Sequence, residues 1–140
     1  MKELSVAATI ENIAPVTRFV NGELELLRCP ERARRQIDVA IDELFGNIAR
    51  YAYHPDVGPA TVRVEVTEEP LAVVITFIDC GMPYDPLSRA EPDVHAPLEE
   101  RQAGGLGIFL VRQTMDDVTY EYKNGRNILK IKKHLAGGGV

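Results

Sequence analysis

Residues 37–53 read IDVAIDELFGNIARYAY, and this stretch decides the fold. Its apolar residues recur at intervals of three and four, the spacing that places them along one stripe of an α-helix. They are Ile37, Ile41, Leu44, Ile48 and Ala52. Beside that stripe stand Glu43 and Asn47, four residues apart, so a carboxylate and a carboxamide share a small volume on neighbouring turns. Taken alone, this pair also fits an ordinary solvated helix edge.

The composition is typical of one globular domain. The chain has 140 residues, of which 45% are hydrophobic, and can close a core. Its formal net charge of −5 offers no basic surface for phosphate backbones, so we expect no direct binding to nucleic acid. Cys29 and Cys80 are too few for a disulfide framework, and the first residues are too polar for a signal peptide or membrane span. We therefore expect a cytoplasmic protein without a membrane partner.

The other patterns predict an alternation of strands and helices within one domain, residues 1–135, followed by a disordered tail, residues 136–140. Asn124-Gly125 suits a hairpin turn that needs positive φ at both central residues. Residues 80–103 contain four prolines among charged residues, which favours a long loop that acts as a mobile lid or is merely a surface loop. The predicted strands are 3–9, 61–67, 71–78, 118–122 and 127–133, and the predicted helices are 15–27, about 30–53 and 106–115.

Two glycine-containing segments follow the main helix. Asp79-Cys80-Gly81 places a carboxylate at a strand end, where it can accept a hydrogen bond from an exocyclic amine such as that of adenine. The glycine allows a flat base to approach the backbone, although an ordinary Asp-x-Gly turn explains this segment as well. Gly104-Gly105-Leu106-Gly107 precedes a helix, so its free N–H groups and the helix dipole attract phosphates. It matches neither the P-loop nor the dinucleotide pattern.

In this order, E-x-x-x-N, D-x-G and G-G-x-G resemble the three nucleotide-binding boxes of the GHKL ATPase superfamily. The segments IDELFGNIARYAY, DCGMPYDPL and GGLGIFLVRQTMDDVTYEY are more closely similar to the anti-sigma-factor serine/threonine kinases, and the resemblance covers nearly the whole chain. It implies a Bergerat-type α/β (α+β) two-layer sandwich with helices on one face of a mixed, mostly antiparallel sheet. It also implies that ATP and Mg²⁺ bind between this layer and a lid.

The resemblance assigns roles to four residues outside the glycine box. Asn47 would be the magnesium ligand, and Glu43 would be the general base that accepts a proton from the attacking hydroxyl. Asp79 would hold adenine, and Gly81 would give the base room.

Within the box, Gly105 and Gly107 would wrap the phosphates, with Gly104 and Leu106 completing the cofactor-binding segment. Family members often carry a basic lid residue next to this box, but here the adjacent residue is Ala103. Arg101 is our candidate for the terminal phosphate contact, and a solvated arginine is the equal alternative.

The implied function is a protein serine/threonine kinase that phosphorylates an antagonist protein and regulates a sigma factor. The alternative is an ATP-gated protein-binding module without phosphotransfer. A homodimer is left open. On the first helix, Arg18 and Arg28 form a candidate face for an acidic partner, although ordinary solvated arginines are the favoured explanation.

Overall fold

The computed structural model describes residues 1–88 and 105–135, and these form five strands and three α-helices. Short helical turns, at Ile10–Asn12, Ile48–Ala52 and Pro86–Ser88, supplement them. The strands are β1 (Lys2–Ala7), β2 (Pro59–Thr67), β3 (Ala72–Asp79), β4 (Asp117–Lys123) and β5 (Arg126–His134). The α-helices are α1 (Ile13–Leu26), α2 (Glu31–Asn47) and α3 (Gly105–Thr114).

The strands form one sheet in the order β1-β2-β3-β5-β4, and each neighbouring pair is antiparallel. We expected a mixed sheet, and that detail is wrong for the described strands. The physical reason lies in the connections, because the segment that contains α1 and α2 returns the chain to the end of the sheet where β1 finishes. Pro59 of β2 therefore pairs with Ala7 of β1. The α+β class itself is confirmed.

The helices bury their apolar stripes against one face of the sheet. Ile37, Ile41 and Leu44 of α2 belong to the same buried cluster as strand residues such as Val62 and Phe77. Fully burying an aliphatic or aromatic side chain of this size contributes about 1.5–3 kcal/mol. The helical period in residues 37–53 therefore identified the core face correctly.

The main helix changes geometry immediately after Asn47. The sequence predicted a continuous helix to about residue 53, but Ile48–Ala52 forms a π-helical turn, a rare feature that is frequent at functional sites. The carbonyl oxygen of Ala52 accepts a hydrogen bond from the backbone N–H of Met82 at 3.1 Å. The π turn is thus joined to the segment that follows β3.

The turn between β4 and β5 has the predicted backbone conformation. Asn124 and Gly125 have φ of 53° and 75°, which confirms the hairpin turn. The predicted lid lies outside the described residues from position 89 onward, as does the predicted tail at 136–140. Within the part of the chain that the structure describes, none of the helices combines the length and apolar character needed to cross a bilayer.

Candidate functional site

A cavity opens between the end of α2, the π turn and the ends of β3 and β5. Apolar and aromatic side chains form most of its lining, and Asn47, Asp79 and Asn127 supply polar groups. A mainly apolar pocket with a few convergent polar groups is the usual composition of a small-molecule site. The structure therefore brings Asn47 and Asp79, which are 32 positions apart in the sequence, to one cavity.

Asp79 is a buried carboxylate, 5% exposed, at the end of β3. Its Oδ1 accepts hydrogen bonds from the backbone N–H of Gly81 and from Nδ2 of Asn127, both at 2.9 Å. Burial raises the pKa of the Asp79 carboxyl, and the hydrogen bonds from Asn127 and Gly81 oppose that shift. Among the described residues Oδ2 accepts no hydrogen bond, so it remains available to an amine in the cavity.

Gly81 lies against the π turn. A Cβ at this position would stand 2.2 Å from the carbonyl oxygen of Ala52 and 2.6 Å from its carbonyl carbon. Because the obstacle is backbone, it cannot rotate away. This close approach gives a structural reason for glycine here, and the space it leaves for adenine remains a prediction.

Glu43 and Asn47 lie side by side on α2, as their spacing predicts. Nδ2 of Asn47 donates a long hydrogen bond of 3.4 Å to Oε1 of Glu43. Gly107 approaches the same carboxylate from α3, since a Cβ on it would stand 2.2 Å from Cδ and Oε2 of Glu43. The structure therefore brings Gly107, the last glycine of the box, next to Glu43 and Asn47 of α2.

The rest of the glycine box is described only in part. Gly105 begins α3, one residue earlier than the predicted start at Leu106, and both have helical backbone. Gly104 and Arg101 lie outside the described residues. The predicted phosphate contacts of this segment remain predictions.

The sequence analysis missed Asn127 and the three tyrosines that line the cavity. The tyrosines are Tyr51, Tyr84 and Tyr120. The rings of Tyr51 and Tyr84 have centroids 6.5 Å apart. One signal was available for Asn127, because it shares the inward alternation of Leu129 and Ile131 and is therefore a polar residue at a buried strand position.

A magnesium ion would depend on Asn47. The described residues contain no group of three or more His, Cys, Asp or Glu side chains that could hold a metal. Mg²⁺ commonly keeps waters and phosphate oxygens and takes few protein ligands. Asn47 turns its Nδ2 toward Glu43, which leaves its amide oxygen to serve as that ligand. The donor set fits an ion that arrives with a nucleotide.

Comparisons with known proteins agree with this geometry. Residues 6–133 match the family model described as histidine kinase-like ATPase domain. Serine/threonine-protein kinase BtrW of Bordetella bronchiseptica is 29% identical over 109 residues, 78% of this chain and 76% of that protein. Serine-protein kinase RsbW of Bacillus mycoides is 26% identical over 132 residues, which are 93% of this chain and 82% of that protein.

Among solved structures, Acinetobacter baumannii histidine kinase AdeS is similar with a TM-score of 0.52. The match covers 98% of this chain and 70% of that one at 14% identity, so it supports the fold alone. The family match spans nearly the whole chain and includes the three segments predicted to bind nucleotide. The protein belongs to the family of histidine kinase-like ATPase domains.

Proposed function

We propose that this protein is a cytoplasmic serine/threonine kinase that uses ATP and Mg²⁺ to phosphorylate an antagonist protein, and that it thereby regulates a sigma factor. One observation carries the proposal: Asn47 lines the cavity that contains Asp79 and also contacts Glu43. A nucleotide whose base meets Asp79 would thus direct its phosphates toward a metal ligand and a candidate base. The kinases RsbW and BtrW, to which the chain is similar, support the same reaction class.

At the base-binding end, the residues recognise adenine and exclude water. Asp79 presents Oδ2 as an acceptor for the exocyclic amine of adenine, while the apolar lining accommodates the ring faces. A buried acceptor-only group distinguishes adenine from bases that present an oxygen at that position.

At the phosphate end, the residues position the attacking hydroxyl and accept its proton. The hydroxyl oxygen of the partner's serine or threonine attacks the γ-phosphorus, the bond from phosphorus to the β–γ bridging oxygen breaks, and ADP leaves. Glu43 orients the hydroxyl and takes its proton. Asn47 would hold Mg²⁺, which neutralises charge on the phosphate oxygens when bound.

The test incubates the purified protein with γ-labelled ATP, Mg²⁺ and small antagonist-domain proteins from the same genome. We expect label on a serine or threonine of one partner, and loss of that label with Glu43→Ala. Nucleotide-dependent complex formation without label would instead identify the ATP-gated binding module. No binding of ATP to folded protein would reject both functions.

Two further variants separate the roles within the site. Asn47→Ala should weaken ATP binding in Mg²⁺ as well as transfer, because a metal ligand acts in the ground state and the transition state. Asp79→Asn should weaken ATP more than inorganic triphosphate, since only ATP carries the amine. Equal losses for the two ligands would contradict the adenine contact.

A further inference from the structure

Asn127 connects three segments at the base-binding end of the cavity. Its Nδ2 donates to Oδ1 of Asp79 at 2.9 Å, to the carbonyl oxygen of Met82 at 2.9 Å and to that of Gly81 at 3.4 Å. The side chain is 6% exposed, so these groups are shielded from water. One amide therefore joins the end of β3, the segment after it and β5.

The opposite side of the amide is defined by donors. Oδ1 of Asn127 accepts from the hydroxyl of Tyr120 at 2.5 Å and from the backbone N–H of Tyr84 at 3.2 Å. The Tyr120 hydroxyl also lies 3.3 Å from the N–H of Tyr84, which can only donate, so the hydroxyl directs its own hydrogen toward Asn127.

This arrangement permits only one orientation of the amide. If the amide were reversed, its oxygen would face the Asp79 carboxylate and the Met82 carbonyl, and three acceptors would meet in a buried place. Its NH₂ group would at the same time face the N–H of Tyr84. Unpaired buried polar groups are costly, so the Met82 carbonyl and the Tyr84 N–H keep Nδ2 directed at Asp79. The Tyr120 hydroxyl supports this orientation by donating to Oδ1 of Asn127.

We propose that Asn127 is a positioning residue that sets the preference for adenine, and that Tyr120 acts through it. By occupying Oδ1 of Asp79, the Asn127 amide leaves Oδ2 as the acceptor that faces the cavity. Asn127 acts on the base only through Asp79. This inference rests on the proposed binding of an adenine nucleotide and adds the residues that determine its selectivity.

The consequence is a selectivity effect rather than a uniform loss of affinity. Inosine triphosphate carries a carbonyl oxygen where adenine carries its amine, so it gains nothing from a correctly directed carboxylate. A hydrogen bond to a charged group is worth about tenfold or more in binding. Misdirecting Asp79 should therefore reduce binding of ATP while leaving the weaker binding of inosine triphosphate almost unchanged.

The experiment measures both nucleotides by calorimetry in five proteins: wild type, Asn127→Ala, Tyr120→Phe, the double variant that combines these two substitutions, and Tyr122→Phe. Tyr122 lies two residues from Tyr120 on the same strand, is exposed and makes no hydrogen bond with the described residues, so it serves as the matched control. Thermal unfolding verifies that each variant is folded. Tyr120→Phe removes one oxygen atom and keeps the test informative if Asn127→Ala does not fold.

We expect the ratio of ATP affinity to inosine triphosphate affinity to fall about tenfold in Asn127→Ala and by a smaller factor in Tyr120→Phe. The ratio should stay at the wild-type value in Tyr122→Phe. In the double variant, Tyr120→Phe should add no further change, because its effect passes through Asn127.

Three results would overturn the inference, and they are distinguishable. If wild type prefers ATP and the ratio is unchanged in both Asn127→Ala and Tyr120→Phe, Asn127 has no positioning role and the proposed function stands. If folded wild type binds neither nucleotide, the proposed function and the inference fail together. Equal loss of both nucleotides in Asn127→Ala would show a purely structural role and would also overturn it.

Discussion

Gly81 and Gly107 both lie against residues of the candidate site, and they differ in what a side chain would meet. At Gly81, an added Cβ would collide with the backbone of Ala52, which belongs to the π turn. At Gly107, it would collide with the carboxylate of Glu43, the mobile end of a side chain. The fold therefore requires glycine at position 81. At position 107, glycine is required only to keep the Glu43 carboxylate in its observed place.

The same difference separates the two ends of the site. At the base-binding end, Asp79 is buried and hydrogen-bonded to groups from the following segment and from β5. At the predicted phosphate end, Glu43 and Asn47 are neighbours on one helix, and Nδ2 of Asn47 donates a hydrogen bond of 3.4 Å to Glu43. The two ends therefore differ in how they are built, because contacts between distant segments position Asp79, whereas the period of one helix sets the spacing of Glu43 and Asn47.

The largest expected effect comes from replacing Glu43, the proposed general base. Glu43→Gln keeps the size of the side chain but removes its ability to accept a proton, so the rate of phosphotransfer should fall by about 10²–10⁴-fold. ATP affinity should change little, because the base acts mainly in the transition state. Single-turnover transfer with labelled ATP and calorimetry measure the two quantities. Full transfer in this variant would show that Glu43 is not the base.

Gly81→Ala tests the backbone contact. Because Ala52 must shift to admit the new Cβ, the free energy of unfolding should fall by about 1–3 kcal/mol, the usual cost of overpacking. ATP affinity should fall with it, since Asp79 accepts from the N–H of the same residue. Urea unfolding and calorimetry check both changes. An unaltered unfolding midpoint would mean that the π turn is more adaptable than this contact indicates.

Gly107→Ala tests the side-chain contact and should have the opposite profile. The Glu43 carboxylate can move aside, so stability should be preserved or slightly improved because alanine favours the helix. With the Glu43 carboxylate displaced, the rate of phosphotransfer should fall about tenfold. This is less than the roughly hundredfold fall in rate that a 1 Å misplacement can cause. In a Glu43→Gln background, the substitution should have no further effect on transfer. A loss of stability without a loss of rate would contradict this interpretation.

Gly22→Ala supplies the control glycine and the smallest effect. Gly22 lies within α1, and a Cβ there would meet no atom of the described residues within 4 Å apart from its own helix backbone. Alanine in a helix interior should therefore raise the free energy of unfolding by about 0.5–1 kcal/mol. ATP binding and phosphotransfer should equal those of wild type. A change in either activity would indicate that α1 is coupled to the site.

What could be predicted from the sequence was mostly local. The period of three and four in α2 identified its buried face, and the four-residue spacing of Glu43 and Asn47 placed them together, because a helix relates such positions geometrically. The order of the three boxes led to the family that residues 6–133 match. The contact of Arg101 with the terminal phosphate stays a prediction, as do the partner proteins.

Contacts between residues that are distant in the sequence could be seen only in the folded structure. Asn127 meets Asp79 across 48 positions, and Gly81 meets Ala52 across 29, distances along the chain at which periodicity carries no information. The π turn after Asn47 and the antiparallel pairing of all five strands likewise depend on how the elements pack. The sequence alone was enough to name the candidate residues for the chemistry, because local spacing controls helix faces and turns. Folding alone determined which buried amide directs Asp79, because only tertiary packing brings β5 beside β3.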